Sequence, residues 1–363
     1  MDNNDFEQQY TFDRGTYYSS PRWNDFTLDD ESRAKKRFSR FFMAVFLFLL
    51  VSYAVSLVAQ VVLILTLGAD KTKELLENSW FPLVFNTVVM YVIAFPVLLL
   101  ITKGMKNTVR AKRSIPFKEL IKIFLVGEAF MTVGNFIGTY LNLFIGAFIG
   151  QTPSDSTSET IMNSNIWLIL LVAVIIGPIV EELIFRKLLM DKLGMYGDRL
   201  AIFVSAISFG LFHGNLYQLF YAAMLGFVLA YLYSKTSNVW YPIALHMIVN
   251  FLGSVIPMLI IDKITRFEVL SEIIMNNPEP SEEIMAEFMQ LSAVVGTYSL
   301  VQVGMTIAGL VIFFRQRKRI FVSDRCEVAI PKERRSKIIF ANAGVISFLV
   351  LSGVLTVLSL FIG

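Results

Sequence analysis

The segment that decides the fold runs from residue 166 to residue 190 and reads IWLILLVAVIIGPIVEELIFRKLLM. It is long enough to cross a hydrocarbon core, which takes about 20 apolar residues in a helix. A helix satisfies its own backbone polar groups where water is absent, so this stretch predicts a transmembrane helix. Two adjacent glutamates, Glu181 and Glu182, nevertheless lie within it. The segment therefore indicates a membrane protein that holds ionisable groups inside the bilayer.

The rest of the chain has the same character. It has 363 residues, of which 55% are hydrophobic and 17% charged, a composition outside that of ordinary soluble domains. Strand-like alternation is absent, so we predict an all-α polytopic protein with eight or nine transmembrane helices around a polar cavity. The apolar windows place nine spans, at residues 41–67, 80–102, 119–149, 166–190, 199–215, 217–234, 238–261, 292–314 and 338–362.

The cationic residues are distributed unevenly between the loops. With the N-terminus in the cytoplasm, 27 of the 32 Lys and Arg residues fall on the cytoplasmic side, four fall outside, and Lys122 lies within a span. Cytoplasmic loops of membrane proteins carry such an excess of cations. The sequence therefore predicts a cytoplasmic N-terminus.

The chain divides into five predicted regions. Residues 1–40 read as a disordered cytoplasmic arm, and 41–150 as the N-terminal transmembrane helices. A third segment follows at 166–261, then an external loop at 262–291 and C-terminal transmembrane helices at 292–363. No short cleavable signal precedes the first span, which we interpret as a signal anchor. Cys326 is the single cysteine, so no internal disulfide is expected, and nothing in the composition suggests a nucleic-acid partner.

Glu182 and Arg186 are spaced i,i+4 and should meet on one face of their helix. Pairing would reduce the cost of burying either charge, so the two either support the site or form a packing pair whose Arg reaches the cytoplasmic interface. Glu181 points about 100° away from Glu182 and has no partner in its own helix. Gly177 and Pro178 should disturb the helix just before these glutamates.

Both histidines of the chain fall in predicted spans. His213 follows Phe209 by four residues, and Asn250 follows His246 by four, so each pair shares a helical face. At about 1.5 Å per residue, Glu181 and His246 lie roughly 12 to 14 Å deep and His213 roughly 21 Å deep. We therefore expect Glu181 and His246 to meet, and His213 to join them only if its span tilts or begins later.

Together, the segments Glu181-Glu182-x-x-x-Arg186, Phe209-x-x-x-His213 and His246-x-x-x-Asn250 resemble the motifs of the CAAX-protease and bacteriocin-processing (CPBP) family. This family contains the Ras-converting type of CAAX prenyl protease and the bacteriocin-immunity proteins also called Abi proteins. The resemblance covers residues 166–261 and implies that this segment is the catalytic core. It implies an integral protein of a prokaryotic plasma membrane in which Glu181 and His213 activate a water while His246 and Asn250 bind the oxyanion.

The residue types agree with peptide hydrolysis, which needs a base, donors for the oxyanion and exclusion of bulk water. His213, His246 and Glu181 could also hold Zn²⁺ with an open water position, although no HExxH motif is present. The cofactor is therefore either none or zinc. Membrane lipid and a membrane-associated peptide or protein are the expected partners.

Two other classes of function remain open at the level of sequence. Buried Glu, His and Arg are also typical of transporters and proton-coupled carriers, although the spans show no paired repeat. A catalytically silent immunity or scaffold protein is the other alternative. A lipidated C-terminal peptide, a leader peptide and a transmembrane segment would suit the protease equally well as substrates.

Overall fold

The structure, a computed structural model, describes residues 26–361 except 79, 109, 151–152, 154–155, 278 and 318–325. All regular elements in this part are helices. In chain order they are α1 (Leu28–Leu67), α2 (Ala69–Glu77), α3 (Phe81–Thr102), α4 (Phe117–Ile149), α5 (Ser156–Asn163), α6 (Ile166–Tyr196), α7 (Asp198–Phe212), α8 (Leu216–Thr236), α9 (Trp240–Asn276), α10 (Glu282–Gln316), α11 (Lys332–Phe340) and α12 (Ala343–Leu358). The predicted all-α polytopic class is confirmed.

Seven of these helices are long and apolar enough to cross a membrane, and α11 with α12, bent by 65°, would make an eighth. The prediction of nine spans also counted residues 199–215, where α7 has only 15 residues. A spanning helix takes about 20 residues, so α7 falls short. It ends because Gly214 adopts a φ of +63° and the Asn215 side chain accepts a hydrogen bond from Gln218 N to start α8.

The first helix begins earlier than predicted. Thr27 and Asp30 form a reciprocal capping box at its start, and three acidic residues occupy its first turn, where they favour the helix dipole. Ala34 and Phe38 are fully buried, so the N-terminal part of α1 belongs to the packed structure. The prediction of a disordered arm over 1–40 is therefore wrong for residues 28–40. Residues 1–25 lie outside the described part.

The predicted external loop at 262–291 is also mostly helical. Helix α9 continues to Asn276 and α10 starts at Glu282, so only a short connection separates them. Two contacts join the helices beyond the apolar windows. Arg266 donates two hydrogen bonds of 2.7 Å to the Glu287 carboxylate, and the rings of Phe267 and Phe288 stack at 5.2 Å. Apolar windows find the part of a helix inside the bilayer and miss its polar extension.

Glycines set the closest helix contacts. A Cβ on Gly134 of α4 would overlap the backbone of Tyr221 in α8, and one on Gly210 of α7 would overlap the Leu219 carbonyl oxygen of α8. Small residues let transmembrane helices approach until their backbones touch. Helix α8 is thereby fixed between α4 and α7, and α7 in turn lies against α6.

Three spanning helices contain a π-helical segment that ends two residues before a proline. The segments are Val89–Ala94 before Pro96, Leu170–Ile176 before Pro178, and Phe251–Val255 before Pro257. Proline lacks a backbone N–H and clashes with the carbonyl of the preceding turn, and a wider turn relieves that clash. The predicted disturbance at Gly177–Pro178 is confirmed, and the two other prolines act in the same way. A fourth π-helical segment, Leu183–Met190, directly follows Glu182.

Candidate active site

The ion pair predicted between Glu182 and Arg186 is present. Arg186 Nε lies 2.9 Å from Glu182 Oε2, and both side chains are fully buried. Arg186 therefore does not reach the interface as that alternative expected, while the pair itself still fits either a packing role or the support of the site. Its guanidinium lies over the Phe209 ring, 4.7 Å from the centroid, and its nitrogens make no hydrogen bond within the described part of the chain. The carboxylate and the aromatic face together compensate the buried cation.

His246 lies between the two glutamates. Its Nδ1 is 3.0 Å from Glu182 Oε1, while its Nε2 is 3.8 Å from Glu181 Oε2. Sequence reasoning expected Glu181 and His246 to meet but missed the contact with Glu182. Glu182 thus joins Arg186 on its own helix to His246 on α9, whereas the Glu181 side chain retains 16% exposure.

Phe209 brings the second histidine to the same place. Its ring meets His213 edge to face at a centroid distance of 5.0 Å and His246 at 5.6 Å. His213 Nδ1 lies 2.7 Å from the Phe209 carbonyl oxygen, which can only accept, so Nδ1 carries the hydrogen and Nε2 is the free acceptor of the neutral ring. Phe209 therefore contacts Arg186, His213 and His246 together.

The predicted difference in depth between His213 and Glu181 is wrong, because α6 was expected to end at residue 190 and Glu181 was therefore placed too near the end of its helix. Helical structure continues to Tyr196, and the chain turns back into α7 at Asp198. Fifteen residues separate Glu181 from Tyr196, and fifteen separate Asp198 from His213. The two helices descend and return by equal lengths, which brings His213 back to the level of Glu181. The hydroxyl of Ser205 in α7 donates to the Phe185 carbonyl oxygen of α6 at 2.9 Å and joins the two helices.

Asn250 lies one turn beyond His246 but has a partner of its own. Its Nδ2 donates a 2.8 Å hydrogen bond to the carbonyl oxygen of Ala173, in the first π-helical segment of α6. This carbonyl is available because the helix widens before Pro178. The bond holds the amide in place and uses one of its two N–H groups, which leaves the other for a ligand.

Tyr91 belongs to the site but was not predicted from the sequence, and it lies beside Gly177. A Cβ built on Gly177 would lie 3.1 Å from the Val172 carbonyl oxygen, 3.7 Å from the Tyr91 hydroxyl and 3.9 Å from Glu181 Oε1. Gly177 thus leaves a space bordered by three oxygen atoms, and a water needs two to four such polar partners. Tyr91 lies in the π-helical segment of α3, and the only signal in the sequence was a phenol in an apolar span five residues before Pro96.

The side chains fit a zinc site only in part. Each histidine has its Nδ1 on an oxygen acceptor, as metal-binding histidines usually do. However, no group of three or more His, Cys, Asp or Glu side chains among the described residues has the arrangement of a metal site. His213, His246 and Glu181 as zinc ligands remain a prediction.

Comparison with known proteins finds relatives of the segment that carries this site. Residues 163–252, which include all three motifs, match the family model of the Rce1-like type II CAAX prenyl endopeptidases. The putative membrane peptidase YdiL of Bacillus subtilis (strain 168) is 37% identical over 87 residues, covering 23% of this chain and 34% of the relative. The membrane-embedded CAAX protease MroQ of Staphylococcus aureus (strain USA300) is 27% identical over 179 residues, covering 46% of this chain and 71% of the relative.

The match to YdiL spans about a third of that protein's length. No solved structure matches the chain. The described part contains seven or eight helices able to span a membrane, as an integral membrane protein requires. The match over residues 163–252 and the two relatives support the assignment of this segment to the CPBP family of CAAX-protease-like membrane proteins.

Proposed function

We propose that this protein is an intramembrane endopeptidase that hydrolyses a peptide bond of a membrane-associated substrate with a water activated by Glu181 and His213. The single observation that carries the proposal is the division between the adjacent carboxylates. Glu182 is fully buried on Arg186 and His246, whereas Glu181 is partly exposed and has no cation of its own helix beside it. A general base must lie near its partner groups, here the imidazoles, and water must still be able to reach it.

The two histidines have different surroundings, and we assign them different roles. His213 presents an unprotonated Nε2 once its Nδ1–H donates to Phe209, so it can accept a hydrogen bond from water. His246 donates from Nδ1 to Glu182, so a hydrogen bond from its Nε2 to an oxyanion requires hydrogen on both nitrogens. The charge of that doubly protonated ring would balance the net negative charge of Glu181, Glu182 and Arg186.

The proposed reaction uses these groups in sequence. Glu181 takes a proton from a water that also donates a hydrogen bond to His213 Nε2, while the water oxygen bonds to the substrate carbonyl carbon. His246 and the second N–H of Asn250 donate to the oxyanion. When the carbon–nitrogen bond breaks, Glu181 returns the proton to the leaving amine. The products are a carboxylic acid and an amine, and transfer of the acid's proton to the amine gives a carboxylate and an ammonium. The apolar helices around the site exclude bulk water, which strengthens the electrostatic interactions inside it.

The substrate is proposed only as a class. A lipidated C-terminal peptide, a leader peptide or a transmembrane segment would each reach a site within the bilayer. The site is on α6, α7 and α9, which expose apolar side chains such as Trp167, Phe203 and Ile248. A substrate that is itself anchored in the membrane could reach these helices by lateral diffusion.

The experiment compares membrane peptidomes of cells carrying the wild type and Glu181→Gln. We expect at least one new terminus to appear with the wild type and vanish with the variant. Tyr140→Phe, on the exposed face of α4, is the control and should leave the peptidome unchanged. If Glu181→Gln, His213→Ala and His246→Ala all preserve both peptidome and cellular phenotype, the scaffold or immunity function replaces the enzyme.

The requirement for zinc has a separate test. The purified protein is analysed for metal, and its activity is then assayed after chelation. The result shows whether the water is activated with zinc or without it. Full activity in a metal-free sample contradicts the zinc version, and loss of activity that added zinc restores supports it.

A further inference from the structure

A cavity lies away from the two histidines. It has a volume of about 220 Å³ and opens between α4, α7, α8 and α10. Its walls are apolar, with Ile123, Val126 and Phe130 from α4, Phe227 from α8 and Phe313 from α10. The rings of Phe130 and Phe313 meet edge to face at 4.9 Å. This cavity shares no lining residue with the candidate active site.

The chemistry of the cavity changes at one end. Glu119, Lys122 and Gln316 line it there. Lys122 Nζ is 3.3 Å from one carboxylate oxygen of Glu119, and Lys235 Nζ is 3.5 Å from the other. Two ammonium groups therefore share one carboxylate, and each keeps N–H donors to spare. We call this end, formed by Glu119, Lys122, Lys235 and Gln316, the cationic mouth.

Four more exposed cations lie next to residues of the cationic mouth, one through a backbone hydrogen bond and three as neighbours in sequence. Arg113 is brought beside Lys235 by a 2.7 Å hydrogen bond from its backbone N–H to the Thr236 carbonyl oxygen. Lys118 directly precedes Glu119, and Arg315 and Arg317 flank Gln316 in sequence. The region thus combines an apolar slot with an excess of positive charge at the end of the spanning helices.

We propose that this cavity binds an anionic phospholipid, with its phosphate at the cationic mouth and one acyl chain along the apolar walls. Charge complementarity selects this occupant. Basic pockets between transmembrane helices bind anionic headgroups, whereas a zwitterionic lipid would bring its own cation among the lysines and arginines. The acyl chain is already out of water in the membrane, so its contribution comes from van der Waals packing against the apolar walls. The proposal does not depend on the proposed peptidase activity.

The test uses the full chain, purified in detergent and incubated with phosphatidylglycerol or with phosphatidylcholine of identical acyl chains. Native mass spectrometry then counts the bound lipids. We expect preferential retention of phosphatidylglycerol, weakened about fivefold by Lys122→Ala or Lys235→Ala and roughly thirtyfold by both together. The matched control is Lys71→Ala with Lys73→Ala on the short helix α2, which should bind as the wild type does.

A slot-filling variant tests the acyl-chain part of the proposal. Val126→Trp should reduce retention of phosphatidylglycerol while the lysines stay in place, and helicity by circular dichroism checks that the variant folds. Equal retention of the two lipids by the wild type overturns the proposal, as does full retention after both lysines are removed. If Val126→Trp does not fold, the lysine variants alone still decide the outcome.

Discussion

At the residue scale, Glu181 and Glu182 are neighbours in sequence with opposite surroundings. Glu182 neutralises the fully buried Arg186 and also accepts from His246, so it holds α6 and α9 in register. Glu181 contacts His246 only at 3.8 Å and borders the space beside Gly177. The pair therefore separates the support of the site from its proposed chemistry.

Glu182→Gln should destabilise the protein strongly. Removal of one partner of a buried ion pair leaves an uncompensated charge, here on Arg186, at a cost of about 3 to 5 kcal/mol. Glu181→Gln removes no buried partner and should change the free energy of unfolding by less than about 1 kcal/mol while abolishing activity. Thermal unfolding in detergent measures both variants. Equal loss of stability in the two would contradict this division of roles.

Tyr91→Phe should lower the rate of hydrolysis while the fold stays intact. The change deletes only the hydroxyl that faces the space beside Gly177, where a water would lose one hydrogen bond worth about 1 kcal/mol, or roughly a fivefold loss in rate. The rate of peptide cleavage at saturating substrate is the measurement. Tyr140→Phe, which removes an exposed hydroxyl on α4, should leave this rate unchanged. An unaltered rate in Tyr91→Phe would exclude a contribution of this hydroxyl.

At the element scale, prolines and glycines determine how the helices meet. Each of three π-helical segments ends two residues before a proline, and the one before Pro178 leaves the Ala173 carbonyl oxygen free for Asn250. Glycines then allow the backbones of neighbouring helices to touch. Gly344 of α12 is one example, since a Cβ there would overlap the Ser39 carbonyl oxygen of α1.

Gly344→Ala should separate α12 from α1 and destabilise the protein by about 1 to 3 kcal/mol, the usual cost of overpacking. The same helix offers a matched control, because a Cβ on Gly353 would meet no atom within 4 Å. Gly353→Ala should therefore be neutral or slightly stabilising, since alanine has the higher helix propensity. The midpoints of thermal unfolding of Gly344→Ala and Gly353→Ala measure this difference in stability. A neutral Gly344→Ala would show that the contact between α1 and α12 can relax at little cost.

At the scale of the whole molecule, the uneven distribution of the cationic residues predicts which end of each spanning helix is cytoplasmic. The connection after α3 carries five Lys or Arg residues, and two arginines of α1 bind carbonyl oxygens at the ends of α3 and α6. Arg37 Nε donates to the Lys192 carbonyl oxygen at 2.6 Å, and Arg40 donates to the carbonyl oxygens of Ile101 and Lys103 at 2.8 Å. These bonds join the N-terminal turns of α1 to the ends of α3 and α6.

Cysteine labelling tests the predicted cytoplasmic N-terminus. In a Cys326→Ser background, Lys112→Cys lies on the predicted cytoplasmic side and Lys73→Cys on the outside, and both positions are exposed. A membrane-impermeant thiol reagent should label Lys73→Cys in intact cells and Lys112→Cys only after permeabilisation. The reverse pattern would place the N-terminus outside.

Properties that depend on neighbours in the chain could be predicted from sequence. Hydropathy placed most of the spans, and the i,i+4 rule identified the ion pair between Glu182 and Arg186, because both reflect the geometry of a single helix. The helix ends were missed at Leu28, Tyr196 and Asn276, where polar turns extend beyond the apolar windows. The short α7 was missed for a related reason, since composition alone does not show where a helix stops.

The sequence by itself therefore determined an all-α membrane protein, the residues that carry its motifs and the unequal distribution of cations. Only the tertiary structure decided that His246 contacts Glu182, that His213 lies level with Glu181 and that Asn250 binds Ala173. These contacts join different helices, and their geometry depends on π-helical turns and on glycine approaches between backbones. Such features are set by packing between helices that are distant in the chain, which no spacing within one helix encodes.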